Sequence, residues 1–217
     1  MQHGTPLYRV ARALLAPVFR ALYRMKIKNR NSLPKQGSFI VCSNHISLLD
    51  PVLLAMGQRR QMFYMAKAEL FQNKLFSALI RALGAFPVNR GKSDTAAIST
   101  AEEHLQKGDV LGIFIEGTRS KTGQLQRPKS GAAMLAFQTH TPVVPVCLTC
   151  PDGIKPKLFH RTFLSFGEPI TPEELGLLEG TGPEFRNASR KIMDAIHALR
   201  EQDVPKVEEE LREDYSG

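Results

Sequence analysis

Hydrophobic and polar positions divide the chain into an amphipathic N-terminal segment and a longer region in which apolar runs alternate with helical patterns. At 100° per residue, the apolar residues of the first segment fill an arc of roughly 140° on one helix face. These residues are Leu7, Val10, Ala11, Leu14, Leu15, Val18, Ala21, Leu22 and Met25. Four arginines lie on the opposite face: Arg9, Arg12, Arg20 and Arg24. Thr5 and Pro6 predict the start of this helix, and Pro17 predicts a kink or two shorter helices.

The rest of the chain predicts an α/β fold. Strands are predicted from apolar runs at 38–43, 63–66, 85–88, 110–115, 142–149 and 161–166. Helices are predicted at 51–56, 70–83, 93–107, 131–139 and 183–200, the third of them capped by Ser93. This alternation predicts a single domain with a central, mostly buried mixed sheet flanked by helices. We therefore divide the chain into a basic amphipathic segment (1–30), one catalytic domain (31–200) and an acidic tail (201–217).

Composition excludes several classes of protein. With 42% hydrophobic and 23% charged residues in 217 positions, the chain is neither disordered, collagen-like nor a coiled coil as a whole. No apolar run reaches the 18 or so residues of a membrane span, and arginines interrupt the N-terminal apolar stretch, so neither a transmembrane helix nor a signal peptide is predicted. Three cysteines give no disulfide framework, which fits a reducing cytoplasm.

The positive charge is concentrated at the N-terminus. Residues 1–49 contain eight Lys and Arg and no Asp or Glu, while the net charge of the whole chain is +8. Such a segment indicates an anionic partner, either a phospholipid surface or nucleic acid. The broad apolar face favours a helix lying in a membrane interface, because a nucleic-acid arm needs no such face. The alternative is a helix that packs on its own domain and leaves its basic face in solvent.

The first candidate for chemistry is the stretch from Asn44 to Asp50, which directly follows the predicted strand 38–43. Asp50 precedes Pro51, which disfavours helical backbone angles at Asp50 and predicts a compact turn. Such a turn can fold the Asp50 carboxylate back onto the imidazole of His45, which would then serve as a general base near pH 7. The alternative is that Asp50 only caps the next helix and His45 is an ordinary loop residue.

Two further segments end strands with groups that suit a phosphate. Glu116–Ser120 follows the strand 110–115, where Gly117 allows a close backbone approach and Arg119 offers a planar fork of donors. Arg90 follows the short strand 85–88 and is placed to join the same anion site. Taken alone, each segment is also compatible with an ordinary turn and a solvated basic loop.

Together these blocks resemble the glycerophospholipid acyltransferase superfamily, in particular the bacterial lysophosphatidic acid acyltransferases. The matching residues are Asn44, His45 and Asp50; Phe114 and Glu116–Arg119; Gly84 and Arg90; and Val143-Val144-Pro145-Val146. Their order and spacing also match, over about residues 25–170. The chain departs from the family at Ile115, where a proline is usual, and in its short N-terminal segment without a spanning helix.

The resemblance implies transfer of an acyl chain from acyl-CoA or acyl carrier protein to the sn-2 hydroxyl of lysophosphatidic acid, giving phosphatidic acid in phospholipid biosynthesis. His45 would be the general base and Asp50 would hold its tautomer. Arg119, Lys67 and Arg90 would hold the acceptor phosphate. Gly117 and Thr118 would line the loop, and Glu116 would orient Arg119 or contact the glycerol.

The resemblance requires no metal or cofactor, and it implies peripheral attachment through residues 7–25 to the cytoplasmic face of the cell membrane, without nucleic acid as a partner. Three alternatives stay open: an acyltransferase for glycerol-3-phosphate or another lysophospholipid, a thioesterase, and a non-catalytic basic membrane-binding protein. The single C-x-x-C at Cys147 and Cys150 is interpreted as buried thiols rather than as a zinc site.

Overall fold

A seven-stranded mixed sheet forms the centre of the protein. The structure is a computed structural model that describes residues 4–89, 94–150 and 154–215, with side chains through residue 205. Its strands are β1 (Lys26–Lys28), β2 (Phe39–Ser43), β3 (Met62–Lys67), β4 (Ala85–Val88), β5 (Val110–Phe114), β6 (Val143–Thr149) and β7 (Phe163–Phe166). The spatial order is β1-β7-β6-β2-β5-β3-β4, and only the β6–β7 pair is antiparallel. Strands β1 and β7 therefore run against the other five.

Helices cover both faces of this sheet. They are α1 (Pro6–Leu22), α2 (Asp50–Gly57), α3 (Lys74–Ala82), α4 (Thr95–Gln106), α5 (Gly131–Thr139), α6 (Pro172–Leu175) and α7 (Gly182–Tyr215), with 3-10 turns at Arg30–Ser32 and Ala68–Phe71. One core lies between the sheet and α4, α5 and α7, and includes Leu111 and Ile196. A second core, which includes Val41 and Leu54, packs α1 and α2 on the opposite face. The predicted single α/β domain with a mixed sheet is confirmed.

The strand register brings three chain segments to one edge of the sheet. Ser43, the last residue of β2, pairs with Phe114 at the end of β5 and with Val146 in β6. Because these strands are parallel, the residues that follow them emerge side by side. This carboxyl edge is where open α/β sheets place their ligands.

Four predictions about the helices differ from the structure. Helix α1 is continuous despite Pro17, because that position is exposed and water can satisfy the carbonyl that lost its partner. The predicted helix 70–83 is a 3-10 turn followed by α3. Helix α4 is capped by Asp94, whose side chain accepts from the Ala97 N–H, while the predicted cap Ser93 lies outside the described residues. Helix α7 continues into the acidic stretch as far as Tyr215.

Part of that acidic stretch is buried. Asp203 has no exposed surface and accepts hydrogen bonds from Lys28 Nζ at 2.5 Å and from Ser165 Oγ at 2.7 Å. These bonds fasten the C-terminal helix to β1 and β7, since Lys28 ends β1 and Ser165 lies in β7. This part of α7 is therefore packed on the sheet, where the sequence suggested only a solvated tail.

Helix α1 packs on the domain through its basic face. Arg12 donates from Nε and Nη2 to the Gln58 carbonyl at 3.1 and 2.5 Å, and Arg20 Nη2 donates to the Met56 carbonyl at 2.7 Å. The apolar stripe instead faces solvent, with Leu7 62%, Val10 59%, Leu14 66%, Leu15 41% and Val18 49% exposed. The alternative of a helix packed on its own domain is therefore right about the packing, but its basic face is only partly solvated: Arg9 and Arg24 are exposed, whereas Arg12 and Arg20 bind the domain.

Candidate active site

The turn between β2 and α2 brings His45 and Asp50 together. Nδ1 of His45 lies 2.8 Å from Oδ2 of Asp50. The same carboxylate oxygen accepts the backbone N–H groups of Ile46 at 2.6 Å and Ser47 at 2.8 Å. The compact turn predicted from the Asp-Pro pair is confirmed, and Asp50, which opens α2, is completely buried.

These contacts define the state of the imidazole. An ionised carboxylate only accepts hydrogen bonds, so Nδ1 of His45 carries a hydrogen, and in the neutral imidazole the lone pair is then on Nε2. The ring of Phe114 stacks on His45 with centroids 3.9 Å apart and planes 15° apart. The His45 side chain is 8% exposed. Its ring is therefore held in one orientation with a basic nitrogen directed away from Asp50.

Asn44 fixes the start of the turn to the neighbouring strand. Its side-chain amide donates to the Leu148 carbonyl at 3.0 Å, and its side-chain oxygen accepts the Leu148 N–H at 2.9 Å. The side chain thus pairs with β6 as a backbone segment would. Sequence analysis placed Asn44 in the motif without a role, and the structure gives it a positioning role for His45.

Glu116 holds the two loops of the site together. Its Oε1 accepts the His45 N–H at 3.1 Å and its Oε2 accepts the Gln126 N–H at 3.3 Å. Burial raises the pKa of Glu116, and the two backbone donors oppose that rise. The residue is 2% exposed, and each of its two carboxylate oxygens accepts a backbone N–H group. Contact of Glu116 with Arg119 or with the acceptor stays a prediction beside this bracing position.

The turn after β5 lies against His45 and presents exposed groups. The Ser120 N–H donates to the His45 carbonyl at 2.7 Å, which joins this turn to the catalytic candidate. Gly117 has a φ of 73°, a left-handed conformation that favours glycine. Gly117, Thr118 and Arg119 are all exposed. The structure therefore brings this predicted anion-binding turn together with His45 and Asp50.

Of the two remaining predicted phosphate ligands, Lys67 and Arg90, the structure describes only Lys67. Lys67 ends β3, is about half exposed, and forms an ion pair with Glu69 at 2.9 Å. It lies at the same edge of the sheet, because β3 runs parallel to β5. Arg90 lies outside the described residues.

An apolar cavity adjoins the turn after β5. Its volume is about 210 Å³, and Phe114, Ile115 and Gly117 line it where β5 passes into that turn. Most of the wall is hydrophobic, with Met65, Val88, Ile98, Ile113 and Leu135 among the lining side chains. Sequence analysis did not locate this cavity, because its wall is assembled from five separate strands and helices.

The two cysteines of the C-x-x-C face different cores. Cys147 packs in the core under α4, α5 and α7, whereas Cys150 packs in the core under α1 and α2. Burial raises the pKa of Cys147 to about 12, which disfavours a thiolate. Two thiols on opposite faces of a sheet do not bind one ion together, so the pair gives no metal site.

Comparisons with known proteins agree with this geometry. Residues 24–149 match the profile of the family described as Acyltransferase. The 1-acyl-sn-glycerol-3-phosphate acyltransferase of Bacillus subtilis (strain 168) is 34% identical over 149 residues, which cover 67% of this chain and 73% of that protein. The protein of the same name from Streptococcus pneumoniae (strain ATCC BAA-255 / R6) is 32% identical over 80% of this chain and 65% of its own length.

A solved structure shows the same fold. The crystal structure of the 1-acyl-sn-glycerophosphate (LPA) acyltransferase PlsC from Thermotoga maritima superposes with a TM-score of 0.65. The sequence identity is 25%, and the match covers 87% of this chain and 79% of that one. Among the described helices of the present chain, none combines the length and hydropathy needed to cross a bilayer.

Proposed function

The chain belongs to the acyltransferase family, and from this premise we propose that it acylates the sn-2 hydroxyl of lysophosphatidic acid, giving phosphatidic acid. One observation carries the proposal: the His45–Asp50 pair, at 2.8 Å, shares the carboxyl edge of the sheet with the exposed Arg119 turn. A base next to a cationic fork suits an acceptor that carries both a hydroxyl and a phosphate. The names of the two bacterial relatives support this choice of acceptor.

The proposed chemistry is direct transfer assisted by a general base. Nε2 of His45 removes the proton from the sn-2 hydroxyl while the hydroxyl oxygen attacks the thioester carbonyl. The carbon–sulfur bond then breaks, and the leaving thiolate takes the proton from the imidazolium. Asp50 orients the ring and stabilises the imidazolium. A base positioned in this way typically contributes about 10²–10⁴ to the rate.

We assign the acceptor phosphate to Arg119, with Lys67 and Arg90 as further cationic ligands. Gly117 and Thr118 form the exposed turn that the phosphate would approach. The apolar cavity beside this turn is the proposed site of the acyl chain, because its wall is mostly hydrophobic and adjoins Phe114, which stacks on His45. The acyl donor is acyl-CoA or acyl carrier protein, and neither a metal nor a cofactor has a role in this scheme.

The exposed stripe of α1 is the proposed membrane contact. Leu7, Val10 and Leu14 are each more than half exposed on a helix that carries no acidic residue. An amphipathic helix of this kind lies in the headgroup region of a bilayer with its apolar face down. We place the protein on the cytoplasmic face of the cell membrane, attached peripherally to anionic phospholipid.

The proposal is tested by thiol release from palmitoyl-CoA and from palmitoylated acyl carrier protein. Each donor is supplied with lysophosphatidic acid, glycerol-3-phosphate, lysophosphatidylcholine or no acceptor. His45→Ala is measured beside His197→Ala, which removes an exposed imidazole of α7. We expect release that requires lysophosphatidic acid, is retained in His197→Ala and is lost in His45→Ala, with phosphatidic acid as product.

Other outcomes contradict specific parts of the proposal. Turnover that persists in His45→Ala refutes the assignment of the base. Release with another acceptor keeps the chemistry and changes the substrate, and release without any acceptor identifies a thioesterase. An absence of release with both donors refutes the enzymatic function.

A further inference from the structure

Four arginines gather at the C-terminal end of α2, away from the active site; we call Arg12, Arg20, Arg30 and Arg59 the arginine cluster. Arg12 donates two N–H groups to the Gln58 carbonyl at 3.1 and 2.5 Å, and Arg30 Nη2 donates to the same oxygen at 3.2 Å. Two guanidinium groups that reach one oxygen at these distances lie within about 6 Å of each other. Arg20 binds the adjacent Met56 carbonyl.

Donors outnumber acceptors in this cluster. A carbonyl oxygen has two lone pairs, yet three N–H groups converge on Gln58. The Nε atoms of Arg20 and Arg30 are buried and have no hydrogen-bond partner in the structure. The helix terminus supplies only about half a negative charge against four cations. The cluster is therefore short of both hydrogen-bond acceptors and negative charge.

The electrostatics of the cluster agree with that deficit. Burial, together with repulsion from Arg20, Arg12 and Arg59, lowers the pKa of Arg30 to about 10. Burial likewise lowers the pKa of Arg12, an effect that Tyr8 opposes and that Arg20 and Arg59 reinforce. Among the side chains that the structure describes, the groups that shift the pKa of either arginine include no carboxylate. An anion at this position would relieve the repulsion.

A cavity of about 230 Å³ opens beside the cluster. Its wall consists of Arg30, Asn31, Leu33, Pro34, Lys35, Phe39, Gln58, Arg59 and Arg60. Arg60 is already bound to the carbonyls of Gly37 and Gly108, which leaves Arg30, Lys35 and Arg59 as the cationic groups for an occupant. The small volume and the planar guanidinium donors fit a compact oxoanion.

We propose that this cavity binds a phosphate group through Arg30 and Arg59, with Lys35 at its rim. The site is distinct from the acceptor site, because the two lie at opposite ends of the eight-residue α2. Asp50 of the active site begins this helix, and Gln58 of the arginine cluster follows its last residue. These two ends are separated by about 12 Å along the helix axis. The phosphate comes either from an anionic lipid headgroup beside α1 or from a soluble phosphate, and the experiment below distinguishes the two sources.

The test measures the thermal unfolding midpoint of the full chain as the concentration of inorganic phosphate is raised. Phosphate replaces chloride, so that the ionic strength stays constant. Arg119→Ala is the background, so that phosphate binding at the catalytic edge is weakened. We expect the midpoint to rise saturably, by about 3–5 °C at ten times the dissociation constant. Adding Arg59→Gln should abolish this rise, and adding Arg190→Gln, an equal charge change on an exposed position of α7, should preserve it.

Vesicle flotation then identifies the source. Vesicles of phosphatidylcholine with 30% phosphatidic acid are compared with pure phosphatidylcholine for Arg59→Gln and Arg190→Gln. A selective loss of binding in Arg59→Gln supports the lipid headgroup, and equal vesicle binding together with a phosphate-dependent midpoint supports a soluble phosphate. Equal phosphate responses in the two variants, or no response in the background protein, overturn the proposal. Lys35→Gln gives an independent check should Arg59→Gln fail to fold.

Discussion

The role of Glu116 gives the sharpest test of how the site is built. Its two oxygens accept the N–H groups of His45 and Gln126, at 3.1 and 3.3 Å, so the carboxylate is a brace between two loops. Glu116→Gln keeps the shape of the side chain but replaces one acceptor by an NH2 group. That group then faces a backbone N–H, and one buried donor loses its partner.

The expected cost follows from this geometry. A hydrogen bond to a charged group contributes about 1.5–3 kcal/mol, and an unsatisfied buried donor costs a similar amount. We therefore expect Glu116→Gln to lower the free energy of unfolding by about 2–3 kcal/mol, which corresponds to a midpoint about 5–10 °C lower in a chain of this size. Displacement of His45 should lower kcat, while the KM for lysophosphatidic acid stays close to its original value.

Chemical denaturation and steady-state kinetics measure these effects, with Glu173→Gln on the exposed surface of α6 as the matched control. The pH dependence adds a second readout. Because burial raises the pKa of Glu116, the folded protein holds this proton more tightly than the unfolded chain. The free energy of unfolding should therefore fall as pH rises from the ordinary carboxyl pKa to the raised pKa of Glu116. Glu116→Gln should remove this pH dependence. Unchanged stability with a raised KM would show that Glu116 contacts the acceptor and would refute the brace.

Four further substitutions test other parts of the site. Asp50→Asn should lower kcat by about 10²–10⁴ in the thiol-release assay, because a neutral amide no longer stabilises the imidazolium; a change below tenfold would contradict the pairing. Arg119→Ala should mainly raise the KM for the acceptor, and a fall in kcat alone would argue against phosphate binding. Ile98→Phe should shift the ratio of kcat/KM from palmitoyl to shorter acyl donors by about tenfold, since added bulk in the cavity costs about 1–3 kcal/mol. An unchanged chain-length profile would place the acyl chain elsewhere. Leu14→Glu should weaken flotation with anionic vesicles, whereas Leu178→Glu, at an equally exposed site in the loop before α7, should not; equal behaviour would exclude α1 as the contact.

Most secondary structure follows from local pattern in this chain. Helix α5 occupies residues 131–139 as predicted, and β2 and β6 lie within a residue of their predicted bounds. Continuous apolar runs identify strands that are buried on both faces, and Gly and Pro mark their ends. The three-residue β1 was not predicted, because Lys26–Lys28 has no hydrophobic pattern and owes its conformation to pairing with β7.

The amphipathic pattern of α1 predicted a helix but not which face it would bury. Local pattern alone favoured packing through the apolar stripe or a bilayer, with the arginines in solvent. In the structure Arg12 and Arg20 satisfy carbonyl groups at the end of α2, a helix that is distant in sequence. Those acceptors are brought beside α1 only by the tertiary structure. Because the helix binds them through its arginines, Leu7 and Leu14 on the other face are exposed.

The sequence determined the residue types of the site, and the fold decided which of them meet. The spacing His-x-x-x-x-Asp occurs twice, at His45–Asp50 and at His104–Asp109, and both pairs form with Nδ1 to carboxylate distances of 2.8 and 2.9 Å. His104 stacks on Phe63 at the end of α4, ahead of β5, whereas His45 follows β2. Parallel strands carry their carboxyl ends to one edge, so only the pair that follows a strand meets the Arg119 turn, Glu116 and the apolar cavity. Local spacing sets the geometry of each pair, and long-range strand pairing decides which pair lies beside the proposed substrate site.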